Sequence, residues 1–214
     1  MCYRYYIGSK DPALEAILQK TLASSLREKF EKESGRSLIS EGEVRPTDIV
    51  PVIASNRSGD RSAFPMKWGF SMPNSKNAVV NARVETAATK PMFREAWQRR
   101  RCIVPASWYF EWEHIPAGDG KTKTGDKFSI RPAGCDHTWL CGLYTFERDL
   151  PVFAVITREP GENVARIHDR MPLILPEDKI DEWIRPDIAP ETLLPYALTD
   201  MVLTPASPQQ GSFV

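Results

Sequence analysis

The chain opens with the stretch Met1-Cys2-Tyr3-Arg4-Tyr5-Tyr6-Ile7. Residues 3–7 are rich in aromatic and β-branched side chains, a composition that favours a short β-strand. A strand at the start of a chain ties down the terminus by pairing with its neighbours. The stretch therefore predicts that the N-terminus lies inside a sheet system and does not fray.

Cys2 follows the initiator methionine directly, and cysteine is small enough for removal of Met1 to be expected. The mature chain would then begin with a thiol of pKa about 8.5 next to an α-amine of pKa about 7.7–8.0. Such an amine can condense with an aldehyde to a Schiff base, after which the thiolate closes a thiazolidine ring. Two alternatives stay open at this point: an N-terminal nucleophile that attacks amides with its own amine as base, and an ordinary buried cysteine.

Length and composition indicate one α+β domain. The chain has 214 residues with 42% hydrophobic content, and its 18 prolines and 12 glycines predict many turns. Lys plus Arg equals Asp plus Glu at 28 each, so a nucleic-acid site must be a local cluster of charge. The sequence has no apolar run of about 18 residues and no signal-like N-terminus, which predicts a cytoplasmic protein without a membrane partner.

The other three cysteines are Cys102, Cys135 and Cys141. The absence of C-x-x-C spacing favours free thiols in a reducing compartment. A zinc site from Cys135, His137 and Cys141 is conceivable, but the spacing matches no standard module. We therefore expect no metal.

Periodicity and turn residues predict the order of helices and strands. Asp11 as N-cap and Pro12 at the first helical position begin a helix that ends near Gly35. Further helices are expected at 91–100 and from 176 through 183, strands at 49–54, 64–70, 128–131, 138–146 and 152–157, and a hairpin-type loop at 117–127. Residues 1–204 are expected to form the domain and residues 205–214 a disordered tail.

Several polar and aromatic residues are candidates for a site. Asn81, Arg83 and Glu85 alternate, so on a strand they share one face, which is either solvated or a polar site. Trp68 is either a core aromatic or a surface for stacking a nucleobase. The triplet at residues 99–101, three arginines, is more typical of a helix C-terminus than of a DNA patch.

Glu111 and His168 are candidates for acid and base. Glu111 stands between Phe110 and Trp112, and desolvation in such a setting raises a carboxyl pKa towards neutrality. If the aromatic rings point inward instead, Glu111 faces water. His168, one of three histidines, follows a short helix that begins near Gly161 and is either an acid/base group or a structural imidazole.

Taken together, these motifs resemble the SOS response-associated peptidase family, the abasic-site sensors that crosslink themselves to single-stranded DNA. The resemblance covers about residues 1–185 and rests on five segments, namely Met1-Cys2-x-Arg4, Trp68-Gly69, Asn81-Ala82-Arg83-Val84-Glu85-Thr86, Phe110-Glu111-Trp112 and Ile167-His168-Asp169-Arg170-Met171-Pro172. It implies a domain in which mixed and antiparallel sheets form a barrel-like core flanked by helices. Where the family usually has glycine at position 3, this chain has Tyr3.

The resemblance also implies roles. Cys2 would be the crosslinking nucleophile after Met1 removal, Asn81 would hold the N-terminal residue and the opened sugar, Glu111 would transfer protons, and His168 would act on the sugar hydroxyl and in reversal. Phosphate contacts would come from Arg4, Arg83 and Arg170, and base stacking from Trp68 and Trp112. The implied partner is single-stranded DNA with abasic sites, bound by a cytoplasmic monomer that joins the nucleoid on damage and uses no cofactor. The implied activities are thiazolidine crosslinking, abasic-site lyase and removal of its own Met1.

Overall fold

A computed structural model describes residues 2–8, 12–73, 75, 77–117 and 121–206. The strands are β1 (Arg4–Ile7), β2 (Gly42–Val44), β3 (Ile49–Ser55), β4 (Arg61–Trp68), β5 (Asn81–Arg83), β6 (Arg101–Ala106), β7 (Trp108–Ala117), β8 (Lys121–Pro132), β9 (Thr138–Glu147), β10 (Leu150–Arg158), β11 (Met171–Pro172) and β12 (Met201–Pro205). The α-helices are α1 (Pro12–Leu22), α2 (Ser25–Ser34), α3 (Val84–Ala87), α4 (Arg94–Arg99), α5 (Glu162–Ala165) and α6 (Ile180–Ile184), and 3₁₀ turns span Glu177–Lys179 and Pro190–Tyr196. The predicted α+β class is confirmed.

The strands form two sheets, one of which closes on itself. In the first sheet the order is β12-β8-β7-β1-β2, and every pairing in it is antiparallel. In the second sheet the path β10-β4-β3-β6-β9 returns to β10, because β9 and β10 also pair. The barrel-like core is therefore confirmed, and the parallel pairs that β10 makes with β4 and β5 make its sheet mixed.

The predicted N-terminal strand is β1, and it lies between β2 and β7 as an interior strand of the first sheet. Tyr5 and Ile7 point into the core, while Arg4 and Tyr6 are half-buried on the other face, as the two-residue period of a strand requires. Tyr5 pairs directly with Tyr109 of β7. This pairing fixes the start of the chain against the strand that carries Glu111.

Two large hydrophobic clusters make up most of the core, beside a small third one around Phe30, Ile49 and Leu150. One joins inward residues of the first sheet to one face of the barrel strands, and includes Cys2, Tyr5 and Trp68. The other joins the opposite face of the barrel strands to the helices, and includes Trp97 and Trp183. Burial on both faces explains why the barrel strands read as nearly continuous apolar runs.

The long helix predicted over residues 11–35 is instead two helices. The first helix ends at Leu22, and the side chain of Ser24 accepts a hydrogen bond from the Leu26 amide and so caps the N-terminus of α2. Gly35 ends α2 with φ of 64°, as predicted for a C-cap glycine. The predicted N-cap, Asp11, lies outside the described residues.

The arginine triplet was assigned wrongly in part. Arg101 is the first residue of β6 and is 1% exposed. Its guanidinium donates to the carbonyls of Trp183, Trp97 and Ile188 at 2.7–2.8 Å. This arginine therefore joins α4, β6 and the segment after α6, and its donors are not available to DNA.

The predicted hairpin loop and the predicted tail differ in extent from what the structure shows. The hairpin loop predicted at 117–127 is shorter, since β7 runs to Ala117 and β8 begins at Lys121, and residues 118–120 lie outside the described residues. Strand β12 includes Pro205, and the amide of Ala206 donates to Lys127, so the first two residues of the predicted tail belong to the domain. The rest of that tail, 207–214, lies outside the described residues. Among the helices that the structure describes, none has the length and apolar character needed to cross a membrane.

Candidate active site

Asn81 and Cys2 are brought together by strand pairing. Asn81 begins β5, which lies parallel to β10 with Asn81 opposite Val155. Its side-chain amide donates to the backbone carbonyl of Cys2 at 2.9 Å. The amide oxygen, Oδ1, is buried and has no hydrogen-bond partner within the described residues. Asn81 thus holds the start of the chain with one side-chain atom and presents an unused acceptor with the other.

The Cys2 side chain is fully buried, at 0% exposure. Its sulfur lies 3.8 Å from the carbonyl oxygen of Arg4, a weak thiol hydrogen bond. Burial raises the pKa of the thiol well above its ordinary value, and the charge of Glu111 raises it further. In this state Cys2 is a protonated thiol, and it needs a base before it can act as a nucleophile.

Glu111 supplies a carboxyl beside that thiol. It points inward from β7 and is 3% exposed, whereas the neighbouring Trp112 is half-buried. Burial raises the pKa of Glu111 from 4.5 to about 7. At cellular pH the carboxyl can therefore both accept and donate a proton.

His168 is the second titratable group, and it lies just beyond α5. Its Nδ1 accepts a hydrogen bond from the amide of Arg170 at 3.0 Å. That bond places the imidazole proton on Nε2, which lies 3.7 Å from Oε2 of Glu111. Burial lowers the pKa of His168 to about 4, so the ring is neutral at cellular pH although the exposed carboxylate of Asp169 lies 3.0 Å from Nδ1.

An open pocket of about 420 Å³ lies over Glu111 and His168, whereas Cys2 and Asn81 do not line it. It is lined by Tyr3, Arg83, Glu111, Trp112, His114, Thr124, His168, Asp169 and Arg170. Tyr3 is 45% exposed, so the chain passes from the buried Cys2 to the pocket wall within one residue. The pocket therefore gives a ligand access to both titratable groups.

His114 belongs to the site and was not predicted from the sequence. Its ring centroid lies 4.1 Å from that of His168, and its backbone amide donates to Ile167. A register shift between Trp112 and His114 turns the exposed His114 side chain towards the pocket. The only sequence signal was a histidine close behind Glu111, and no periodicity predicts a bulge.

Among the described residues, the one group of side chains that could hold a metal ion is His114, His168 and Asp169, whose ligand atoms lie within 4.8 Å of one another. In this group Nδ1 of His168 already accepts the Arg170 amide. The considered zinc ligands Cys135, His137 and Cys141 form no such group in the part of the chain that the structure describes. Cys141 is fully buried in β9.

The stacking role expected for Trp68 is corrected by its burial. Trp68 is 0% exposed, its Nε1 donates to the carbonyl of Val80 at 2.9 Å, and its ring stacks on Phe153 with centroids 6.1 Å apart. A ring enclosed in this way presents no face to a nucleobase. Trp68 is a core residue that positions Val80 and hence Asn81.

Arg170 and Glu85 form an ion pair that the sequence did not predict. The Arg170 guanidinium donates to both carboxylate oxygens of Glu85 at 2.8 and 2.9 Å and to the carbonyl of Thr157 at 2.8 Å. Glu85 lies in α3 and not on the strand with Asn81, so the predicted alternation stops at Arg83. The guanidinium that was expected to contact phosphate is engaged in holding α3 against β10.

The remaining predicted DNA contacts are more accessible. Arg83 is exposed at the pocket wall. Arg4 forms an ion pair with Glu43, and its guanidinium carbon lies 5.7 Å from the centre of the Trp112 ring. Lys127 donates to the same Glu43 at 2.7 Å and lies 5.3 Å from that ring. The cationic side chains of Arg4 and Lys127 therefore lie close to the Trp112 ring at the rim of the pocket.

Comparison with known proteins identifies the family of this chain. The family model described as SOS response associated peptidase (SRAP) matches residues 1–211, and the chain belongs to this family.

The chain is also similar to individual proteins. The chain is 32% identical over 202 residues to abasic site processing protein YobE of Bacillus subtilis, covering 85% of this chain and 90% of the relative. It is 33% identical over 173 residues to abasic site processing protein YoaM of the same organism, covering 74% of each. A crystal structure of a protein from Bacteroides thetaiotaomicron superposes with a TM-score of 0.70 at 21% identity, covering 95% of this chain and 91% of that one.

Proposed function

We propose that this chain recognises abasic sites in single-stranded DNA and forms a covalent thiazolidine link between the mature Cys2 and the ring-opened deoxyribose. An abasic deoxyribose in its open form is an aldehyde, which is the partner that a 1,2-aminothiol traps. The relatives that carry the name abasic site processing protein support this choice of substrate.

The observation that carries the proposal is the position of Asn81. Its Nδ2 holds the carbonyl of Cys2 at 2.9 Å, and its buried Oδ1 has no partner within the described residues. Once Met1 is removed, the free α-amine is that of Cys2, whose carbonyl already accepts a hydrogen bond from Asn81. An amine N–H can donate to Oδ1, which would orient the nitrogen lone pair towards the aldehyde.

Glu111 fits the proton transfers of the reaction. The amine adds to the aldehyde carbon, and Glu111 gives its proton to the hydroxyl that leaves as water when the imine forms. The thiol proton of Cys2 then passes to the Glu111 carboxylate as the sulfur bonds to the imine carbon. The nitrogen kept one hydrogen when water left, as a protonated imine; the C=N electron pair now returns to it, so that hydrogen becomes the ring N–H and Glu111 ends protonated, as it began. A carboxyl with a pKa of about 7 suits both directions of transfer.

His168 would act on the sugar. Its neutral ring presents an Nε2 proton towards the pocket side of Glu111, where it can donate to the sugar hydroxyl. Holding that hydroxyl would favour the open aldehyde and would also assist the reverse reaction and strand cleavage. The lyase and reversal activities therefore depend on His168.

The DNA itself would be held by the pocket rim. Arg83 is the exposed cation nearest to Asn81 in sequence, and Arg4 would be released to phosphate from its contact with Glu43. Trp112 would stack on a base beside the lesion. Arg170 would contribute mainly by holding α3, while Tyr3 narrows the pocket at the position where the family usually has glycine. We further expect a monomer that acts at the nucleoid and that removes its own Met1.

One experiment separates this function from its alternatives. The mature protein is incubated with an oligonucleotide that carries one abasic site and then denatured. The proposal predicts an adduct that survives denaturation, is lost in Cys2→Ala, and persists in Cys135→Ala, a matched change at another free thiol. Salt-sensitive binding without an adduct would indicate a DNA-binding module, and ammonia release from glutamine would indicate an amidohydrolase. A chain that retains Met1 behind a tag should bind DNA without crosslinking, because its α-amine is no longer on Cys2.

A further inference from the structure

A single carboxylate on the first sheet, that of Glu43, lies among three cations. Its Oε1 accepts a hydrogen bond from the Arg4 guanidinium, and its Oε2 accepts one from Nζ of Lys127 at 2.7 Å. Nε of Arg45 lies 3.7 Å from Oε1. These four residues, here called the Glu43 cluster, contain three positive charges and one negative charge. Two positive charges are therefore not neutralised within the cluster.

The Glu43 cluster lies beside the pocket. Lys127 of β8 pairs directly with Trp112 of β7, and Trp112 lines the pocket. The guanidinium carbon of Arg4 is 5.7 Å and Nζ of Lys127 is 5.3 Å from the centre of the Trp112 ring. Arg4 follows Cys2 by two residues, a span of at most about 7 Å of extended chain. A DNA strand held at Cys2 therefore passes close to these cations.

The Glu43 carboxylate occupies the position that suits a phosphate. Each of its two oxygens has one cation, and a phosphodiester also presents two unbridged oxygens, for which arginine and lysine are the usual partners. The side chain of Glu43 is 17% exposed, and those of Arg4 and Lys127 are 33% and 25% exposed. An anion from solvent can therefore reach the same two cations, and ion pairs exposed to this extent are weak enough to be exchanged.

The carboxyl is ionised when DNA arrives. Burial alone would raise the pKa of Glu43, but the hydrogen bonds from Lys127 and Arg4 lower it below its ordinary value. At cellular pH, Glu43 therefore competes with any other anion for both cations.

We propose that the Glu43 cluster is a phosphate subsite in which the protein's own Glu43 carboxylate is the resting occupant, and that a DNA phosphodiester displaces it from Arg4 and Lys127. The inference rests on the proposed function, to which it adds Lys127 as a DNA contact and Glu43 as an internal competitor. Intact strands bind only by winning this competition. A strand linked to Cys2 has a high effective concentration at the cluster, so the same competitor weakens its binding far less.

Arg45 gives the displaced carboxylate a partner. Its side chain is 63% exposed, whereas its backbone amide donates to the Asp48 carboxylate at 2.8 Å. The guanidinium can therefore follow Glu43 while the backbone stays in place. By keeping Glu43 paired, Arg45 reduces the repulsion between that carboxylate and the bound phosphate.

The test measures binding of an intact single-stranded oligonucleotide by fluorescence anisotropy at several salt concentrations. It compares the wild type with Glu43→Gln, with Lys127→Met, and with Glu43→Gln in a background that contains both Arg4→Met and Lys127→Met. The matched control is Glu95→Gln, which makes the same change of charge. Glu95 is a 67% exposed residue of α4, a helix that packs against the second sheet, and it pairs with Arg100 at 2.9 Å.

Glu43→Gln should bind the intact strand about three- to thirtyfold more tightly at low salt, because two competing ion pairs are removed. Lys127→Met should bind it about three- to tenfold less tightly and reduce the magnitude of the salt slope by about 0.7. In the background without Arg4 and Lys127, Glu43→Gln should change affinity by less than about twofold, because the cations for which it competes are gone. Glu95→Gln should stay within about twofold of the wild type, since distant exposed charges are screened.

Urea unfolding distinguishes this role from a structural one. The ion pairs of Glu43 join β2 to β1 and β8, so Glu43→Gln should be no more stable than the wild type while it binds DNA more tightly. Loss of folding cannot produce a gain in affinity. A loss of stability with unchanged or weaker binding would show that Glu43 only holds the strands together, and would overturn the inference.

A gain of equal size in Glu95→Gln, or in the background without Arg4 and Lys127, would also overturn it, because either result would be a general effect of charge. Intact DNA has no aldehyde, so these measurements do not depend on the crosslink. Tighter binding by Glu43→Gln without an adduct on abasic DNA would support the subsite and refute the proposed crosslinking. An adduct formed by the wild type, with no gain in affinity in Glu43→Gln, would leave the crosslinking in place and refute the subsite.

Discussion

Replacement of Glu111 by glutamine tests the acid/base assignment through stability as well as rate. Burial raises the pKa of this carboxyl from 4.5 to about 7. One pKa unit corresponds to about 1.4 kcal/mol, so the ionised carboxylate costs the folded state at most about 3 kcal/mol above neutral pH. Glu111→Gln keeps the shape of the side chain and removes that charge.

The direction in which stability changes with pH follows from the number of protons that the folded and unfolded chains bind. Between the unfolded pKa of 4.5 and the folded pKa of about 7, the folded chain holds more protons than the unfolded chain. Stability from Glu111 is therefore fully present below about pH 4.5 and is lost as the pH rises to about 7. His168 has the opposite sign, because its pKa is lowered from 6.5 to about 4 and its contribution is lost as the pH falls through that window. Subtracting the curve of the variant from that of the wild type removes most of the His168 contribution and isolates Glu111.

The assay is urea unfolding of both proteins between about pH 5 and pH 8. Glu111→Gln should be more stable than the wild type at about pH 8, by about 1–3 kcal/mol, and this advantage should vanish towards pH 5. The same variant should form the DNA adduct at least about a hundredfold more slowly, since proton transfer by a positioned group is worth about that much. A stability difference independent of pH, or an unchanged crosslinking rate, would show that Glu111 is not the proton-transfer group.

Three further predictions concern the pocket wall. Arg83→Ala should weaken binding to intact single-stranded DNA and reduce the magnitude of the salt slope by about 0.7, in fluorescence anisotropy at several salt concentrations; an unchanged slope would exclude a phosphate contact. Arg170→Met should lower the free energy of unfolding by about 1–3 kcal/mol, because Glu85 and the Thr157 carbonyl lose a charged donor; a loss of DNA affinity at full stability would instead favour a direct contact. His168→Ala should leave DNA affinity within about twofold of the wild type and slow crosslink reversal or strand cleavage at least about tenfold in gel assays; equal rates would remove His168 from the mechanism.

The central part of the site could be predicted because its residues are fixed by local pattern. The strand that follows Cys2 anchors the terminus, and the aromatic neighbours of Glu111 indicate a desolvated carboxyl. The structure places Asn81 against Cys2, and His168 near Glu111. Strand order, which brings these segments together, could be expected only through the family resemblance, because local pattern does not encode long-range pairing.

The corrected role of Trp68 and the unpredicted ion pair of Arg170 have a common cause. Trp68 and Arg170 have side chains whose fate depends on partners distant in sequence, namely Val80 and Glu85. The local sequence around a tryptophan does not show whether its ring is exposed or buried. The local sequence around an arginine does not show whether its guanidinium forms an ion pair. His114 was missed for a related reason, since a β-bulge decides which way its ring points.

Crosslinking through the mature Cys2 is best tested by the intact mass of the product formed with an abasic oligonucleotide. We predict a single adduct whose mass is that of the chain without Met1 plus the oligonucleotide, less one water, with the modification located at Cys2. This prediction would be contradicted by an adduct in which Met1 is retained, or by one attached to a residue other than Cys2.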